Sequence, residues 1–435
     1  MFFVYYYPAS LKSEGKVLDT CIRYLNFAIL LLFTLCYSYQ AVFVLIRWFG
    51  KKKKYQAKTQ HRYAVIISAR NERAVIGGLL DSIHRQNYPS ELVDIYVVAD
   101  NCTDDTAAVA RAHGAVVYER FNHVQIGKGY ALNYLFRCIE ERVGLDTYDG
   151  FLVFDADNVL DENYITSMND VFDQGYPVVT SYRNSKNYGS NWISAGYALW
   201  FLRESKYLNG ARMQCGTSCA ISGTGFLVAS EVIRENHGWK HHLLTEDIEF
   251  STDSIIQGRV IGYSEDAVLY DEQPVHFRES WNQRLRWSKG FYQVLGSYGK
   301  RLTEGIVKHH SFQCYDMMMT LAPATLLTLF TIVVNLIFGF AGVILGHTSW
   351  TVMMLEAVGG NLFGIYMSLF FFGLITTITE WKRIHCHAGK KILYLFTFPI
   401  FIFTYIPIAV VAIFKKVTWV PIPHTIAKNV QEIRS

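Results

Sequence analysis

One stretch limits the possible folds more than any other. "LNFAILLLFTLCYSYQAVFVLI" (Leu25–Ile46) carries no charge and exceeds the roughly 20 residues that a helix needs to cross a bilayer. "RWFGKKKK" follows it. By the positive-inside rule, Arg47 and Lys51 to Lys54 mark the cytoplasmic end of a transmembrane helix over 21–48, and residues 1–20 face outward. The run begins too far from the start, and is too long, for a cleavable signal. Three more apolar runs lie near the other end: Met317–Leu345, Gly359–Ile378 and Ile392–Phe414. The last contains Pro399 and Pro407 and has lysines on both flanks (Lys390, Lys391, Lys415, Lys416). A straight crossing would place positive charge on both sides, so a kinked or re-entrant segment is expected, with a full crossing as the rival.

Between these runs the composition changes. The chain as a whole is 51% hydrophobic with mean hydropathy +0.14, too apolar for a wholly soluble protein and too polar for a pure transporter. Residues 60–262 supply the polar part. "YAVIISA", "DIYVVAD", "AVVYE", "FLVFDAD" and "YPVVTSY" read as buried strands. Ile76, Leu79, Leu80 and Ile83 give the i, i+3, i+4, i+7 pattern of an amphipathic helix between the first two. Such alternation predicts an α/β domain with a parallel sheet, whose ligands bind beyond the carboxyl ends of the strands. Residues 263–312 turn aromatic and basic, which suits amphipathic helices in the membrane interface. Region 313–416 then holds the apolar helices, and 417–435 forms a tail. The net charge is only +4, and the positive residues gather beside apolar runs. That is the pattern of membrane topology and not of nucleic-acid binding. Cys215 and Cys219 lack the second ligand pair of a zinc site. His241–His242, His309–His310 and the "HCH" at 385–387 read as solvated polar residues.

Several strand ends carry unexpected charge. "FLVFDADN" runs a buried strand into Asp155 and Asp157. Ionised acids are costly to bury, and two of them at a strand tip suit a divalent cation bound through oxygen. Asp100 ends another strand, placed to accept hydrogen bonds from a base or ribose; an Asx-type turn capping the next helix is the plainer alternative. "SARNE" (Ser68–Glu72) follows the first strand and is expected to start a helix. Lys128 sits between two glycines at a helix start in "QIGKGYALN", without the spacing of a P-loop. Glu246 and Asp247 follow two leucines in "LLTEDIEF". A carboxylate in such a semi-apolar pocket has a raised pKa and serves as a base. Capping from Thr245 would instead leave an ordinary or lowered value. "SGTGF" (Ser222–Phe226), which includes Thr224, is a turn that lets a ligand approach the backbone. In "NQRLRWSKG", Gln283, Arg286 and Trp287 share one helical face. Arg286 suits a phosphate and Trp287 a sugar face; an interfacial anchor is equally compatible.

In this order, "SARNE", "VVADNCTDDT", "FDADN", "TED" and "QRLRW" (a Q-x-x-R-W) resemble the bacterial family 2 glycosyltransferases of the cellulose synthase and hyaluronan synthase type. The likeness covers roughly residues 60–295. It implies a GT-A-like nucleotide-diphospho-sugar transferase domain in the cytoplasm, an α-helical transmembrane region, and placement in the cell membrane as a multi-pass protein. It implies a UDP-sugar donor, Mg²⁺ or Mn²⁺, a growing polysaccharide acceptor, and secretion through the enzyme's own channel. By the same resemblance, Ser68, Arg70, Glu72 and Asp100 hold the uridine. Lys128, Gln283 and Arg286 hold the diphosphate, and Asp155 contacts donor and cation. Asp157 binds the metal directly, and Asp247 is the general base. Trp287, with Glu246 and Thr224, meets the acceptor. The "TED" form leans toward the cellulose branch and so toward β-glucan from UDP-glucose. An N-acetylglucosamine-using synthase, a single-transfer enzyme acting on a lipid carrier, and a non-catalytic carbohydrate channel are the alternatives. With no donor bound, the site is expected to be strained and open, and "KKVTWVPIPHT" is read as a gating segment or a proline-ordered interfacial tail.

Overall fold

The computed structural model describes residues 9–322 and 324–434, so the first eight residues of the expected outward segment lie outside it. Eight strands form one sheet: β1 (Tyr63–Ala69), β2 (Val93–Asp100), β3 (Val116–Arg120), β4 (Gly150–Asp155), β5 (Val159–Leu160), β6 (Val178–Ser185), β7 (Phe226–Ala229) and β8 (Ile261–Asp271). Their order is β3-β2-β1-β4-β7-β6-β8-β5. The β1 and β4 sequences are near-continuous apolar runs because helices cover both faces of the sheet; Val65, Ile66, Ile67, Leu152, Val153 and Phe154 are all fully buried. The amphipathic helix lies over Ile76–His84, with Ile76, Leu79, Leu80 and Ile83 buried as its spacing predicts.

The sheet is mixed and not purely parallel. β1 pairs in parallel with β2 and β4, and β6 with β8, whereas β7 runs antiparallel between β4 and β6. The helices after β6 return the chain to the edge it left, so β7 can only run the opposite way. The turn into β7 needs glycine: Gly225 has φ +66°, and a Cβ there would collide with the Leu269 side chain. Two further expectations need correction. "SARNE" does not start a helix. Asn71 takes a left-handed conformation (φ 59°), a hydrogen-bonded turn follows from Glu72 to Val75, and the helix begins at Ile76. Residues 263–271 are not interfacial either: they belong to β8, and the amphipathic helix begins at Phe277 and ends at His309. Tyr263 and Tyr270 of that stretch are buried against the sheet.

Among the described residues, four helical spans are long and apolar enough to cross a membrane: Thr20–Phe49, Thr328–Leu345, Trp350–Thr379 and Ala388–Phe414. The first is interrupted at Ser38 and the last at Thr404, inside the segment whose prolines predict a kink. Leu31, Phe340, Phe363 and Phe396 point outward, as a lipid-facing surface requires. Buried charge ties the helical segments to the sheet and to one another. Arg47, read from the sequence as a topology marker, is buried and pairs with Glu265 of β8 at 2.8 Å. Arg212 grips Asp316 through two hydrogen bonds of 2.7 and 2.9 Å. Glu380, just past the third span, accepts from Lys206 and from the Tyr182 hydroxyl.

Candidate active site

The parallel register places the charged strand ends at one edge. Ser68 on β1 lies beside Asp155 on β4, and Ser185 on β6 beside Asp271 on β8. The residues after these ends (Arg70 and Glu72, Asp157, Lys186, Glu272) therefore gather where ligands of open α/β sheets bind. Asp100, at the end of β2, faces Arg120 of β3 in register and is held by it at 2.5 Å, both side chains buried. The plainer Asx-turn role falls instead to Asp104, whose carboxylate accepts from the Thr106 backbone.

Asp155 is fixed from two sides. Its backbone N–H donates to the Thr224 hydroxyl at 2.8 Å, and its carboxylate receives Lys128 Nζ at 2.5 Å. Lys128 also donates to the Gly223 carbonyl at 2.8 Å. Burial pulls the Lys128 ammonium down, but Asp155, Glu246 and Asp247 outweigh it and hold the group above its ordinary value. Asp157 is buried and accepts from the Glu272 N–H at 3.0 Å. Burial opposes its charge, yet His424, Lys186 and Arg183 keep it below the usual carboxylate range. Beside it, burial and the Asp157 charge lift Asp271 despite a hydrogen bond from Arg183 Nε at 2.6 Å.

Glu246 and Asp247 open the helix Glu246–Ile256. Thr245 occupies the cap position but makes no capping hydrogen bond, and its hydroxyl has no hydrogen-bond partner among the described residues. Burial first raises both carboxyls above the ordinary range, and Asp247 repels Glu246 further. The capping explanation predicts the opposite shift. Asp247 is oriented by the Gly223 N–H at 2.6 Å, so one short turn positions Asp155, Lys128 and Asp247 together.

Gln283, Arg286 and Trp287 lie on the Phe277–His309 helix. The Gln283 carbonyl is buried without a partner, and Arg286 donates to the Leu244 carbonyl at 3.2 Å. Trp287 stands edge-on to Tyr197 at 5.7 Å and near Phe201 at 6.2 Å. Phe401, from the last apolar span, completes that cluster.

Residues 61–290, more than half of the chain, match the family described as "Glycosyltransferase like family 2". The chain belongs to this family. This glycosyltransferase is 24% identical over 260 residues to a probable glycosyltransferase of Bacillus subtilis, covering 54% of this chain and 56% of that one. It is 23% identical to a beta-monoglucosyldiacylglycerol synthase of Synechocystis (53% and 47% covered) and 23% identical to a poly-beta-1,6-N-acetyl-D-glucosamine synthase of Staphylococcus epidermidis (55% and 57% covered). The chain spans about half the length of these relatives. Its fold is similar to that of a Pyrobaculum calidifontis mannosyltransferase solved with GDP-Man and Mn²⁺. The TM-score is 0.54, with 16% identity and 92% and 99% of the two chains covered. The glycosyltransferase therefore has the GT-A-like α/β nucleotide-sugar transferase fold, joined to helices able to span a membrane.

The glycosyltransferase site contains residues that sequence reasoning missed. The expected open cleft is instead crossed by the chain's own tail. Trp419 lies on the Arg70 guanidinium at 5.2 Å, and His424 contacts both Glu72 oxygens at 3.0 and 3.1 Å. The N–H groups of Thr425 and Ile426 donate to Glu272. Burial raises Glu72 to about 7 despite His424. Burial works against the His424 charge, but Asp157, Glu72 and Glu272 raise its pKa to about 10. Arg183, Lys186, Asp271 and Glu272 are not singled out by the sequence, because the apolar pattern of β6 stops at Tyr182 while the strand runs to Ser185, and the aromatic, basic composition from 263 masks β8. The strand-end rule applied to "LYDE" would have found the two acids. Among the described residues no group of three or more His, Cys, Asp or Glu side chains is set to hold a metal ion. His241, expected to be solvated, is buried against Asp253, and His242 stacks on Tyr130 at 4.3 Å.

Proposed function

We propose that this glycosyltransferase is an inverting, membrane-embedded synthase of a β-linked polysaccharide, with UDP-glucose as the favoured donor and its catalytic domain in the cytoplasm. Asp247 is the base: it takes the proton of an acceptor hydroxyl as that oxygen attacks the anomeric carbon. A single displacement turns an α-linked donor into a β-linked product. Ser68, Arg70, Glu72 and Asp100 bind the nucleoside. Lys128, Gln283 and Arg286 receive the charge of the departing diphosphate. Glu246 and Thr224 border the acceptor position.

The acceptor-only oxygens of Asp155 and Asp157, the latter already facing a cationic imidazole, fit a hard divalent cation. Mg²⁺ or Mn²⁺ held there would neutralise diphosphate charge. The 417–435 tail must leave Arg70 and Glu72 before a nucleoside can reach them, which supports a gating role.

The observation that supports processivity is the setting of Trp287. Its partly exposed ring is braced by the buried Tyr197, Phe201 and Phe401, the last on the Ala388–Phe414 span. That leaves the indole as the one aromatic of these four able to stack a growing glycan at the membrane side of the site. A second reading, one sugar added to a lipid, is favoured by the similarity to glucosyldiacylglycerol synthases. Purified enzyme in lipid would be offered UDP-glucose, UDP-N-acetylglucosamine and UDP-glucuronate separately with Mg²⁺ or Mn²⁺. UDP release and product size are measured. High-molecular-weight product from UDP-glucose is expected. Label confined to one or two sugars on lipid would refute processivity.

A further inference from the structure

A cavity of about 290 Å³ lies on the face of β8 that carries Asp266, Val268 and Tyr270, opposite the face of Asp271, and against the loop that follows the third apolar span. Lys382, Arg383, His385 and Arg434 line it, and Asp266 is the one carboxylate among its lining residues. The cations are differently held. Arg434 pairs with Asp161 and donates to the Tyr270 hydroxyl at 3.2 Å. Arg383 lies over the Tyr182 ring at 4.0 Å, with Glu380 3.7 Å away. These contacts orient both guanidinium groups yet leave donors over, since each has five. Lys382 has no ion-pair partner among the described residues and is exposed. His385 is half-buried beside Tyr270. Burial, Arg434 and Lys391 lower its pKa, so near neutral pH it offers a single N–H without adding charge.

Lys382, the cation here without an ion-pair partner among the described residues, together with the spare directional N–H donors of Arg383, Arg434 and His385 on several sides, suits a compact oxyanion. The position decides how that anion arrives. The third span ends at Thr379, and Lys382 follows within one turn's length of chain. Trp381 between them is partly exposed and carries Lys391 on its ring at 4.5 Å, an arrangement typical of the membrane interface. Basic pockets beside the ends of membrane helices take lipid head groups. We propose that this cavity binds a phosphate ester presented by the head group of an anionic membrane lipid. The site is separate from the nucleotide-sugar cluster, and its ligand is a component of the surrounding bilayer and not a reactant.

Calorimetric titration of the full chain in a neutral detergent tests this. The probes are short-chain phosphatidylglycerol, short-chain phosphatidylcholine and inorganic phosphate. Saturable binding of phosphatidylglycerol, tighter than either other probe, is expected. Lys382→Gln should weaken it about fivefold, the usual worth of one surface cation toward anionic lipid. Adding His385→Ala should weaken it further. Both side chains sit in the loop and leave the Arg383–Glu380 contact in place, and an unchanged melting temperature checks the fold. Equal binding of phosphatidylcholine, or an unaltered Lys382→Gln titration, would overturn the proposal. Inorganic phosphate binding as tightly as the lipid would assign the cavity to a soluble phosphate and reject the lipid source.

Discussion

Two sets of buried carboxylates divide the molecule. At the strand ends, Glu72, Asp157, Asp271, Glu246 and Asp247 crowd together; burial lifts four of them above the ordinary range, while neighbouring cations hold Asp157 below it. Where the sheet meets the apolar helices, Asp316, Glu380 and Glu265 are also buried or nearly so, but each is closed by a cation from the opposite element: Arg212, Lys206 and Arg47. The residue types are the same. The second set is neutralised by fixed partners and works as a clamp. In the first set the negative charge outruns the cations of the sheet, and part of the balance comes from His424 of the C-terminal tail. Such an arrangement favours an incoming cation, a diphosphate with its counter-charge, or a proton.

The sharpest break between the two sets concerns Asp247. Asp247→Asn should lower the transfer rate by roughly 10²- to 10⁴-fold, the usual contribution of a positioned base, while donor binding and melting temperature stay near those of the parent. The pH profile gives a second readout. A base works when ionised, so activity falls as pH drops through its folded-state pKa. Burial puts that limb above the ordinary aspartate value near 3.9. The residual activity of the variant should lack the limb. A rate within threefold of the parent would remove Asp247 from the mechanism.

The clamp should answer in stability. Asp316→Ala leaves Arg212 buried with no counter-charge, and a broken buried pair costs about 3–5 kcal/mol. Thermal melting in detergent should show a large loss. Changing Arg212 and Asp316 together to leucine should recover most of it, because a matched apolar pair carries no desolvation cost. If Asp316→Ala melts like the parent, the interface is not closed by charge.

The same contrast explains what the sequence made legible. Asp100 and Asp155 stand out because each ends an apolar strand, with Asp157 two residues beyond, and the five ordered motifs point to the family. The clamp was invisible. Arg47 and Glu265 are 218 residues apart in sequence, and each has an ordinary local reading, one as a topology charge and one as a polar residue in an aromatic stretch. His424 was hidden for the same reason: "PIPHT" has no periodicity, and only the fold brings it to Glu72. The mixed sheet was missed because alternation of strand and helix counts elements without showing which edge a helix returns to. β7 has only four residues, too few for its direction to register.

The smallest effect bears on how removable the tail is. His424 spends its hydrogen bonds on Glu72, a residue assigned to the nucleoside, so a donor must displace it. His424→Ala removes that competition without altering any strand-end residue. A hydrogen-bonded ion pair in a partly open site is worth about 1 kcal/mol, so the donor should bind roughly fivefold more tightly, measured as the dissociation constant for UDP. The maximal rate separates two uses of the tail. If the tail only obstructs the empty site, the rate stays unchanged as affinity rises. If it also closes over the bound donor, the rate falls while affinity still rises, because the closed state loses its latch. Weaker UDP binding would mean that His424 helps to build the nucleotide site, and the boundary between fixed and removable charge would then have to be redrawn to include the tail.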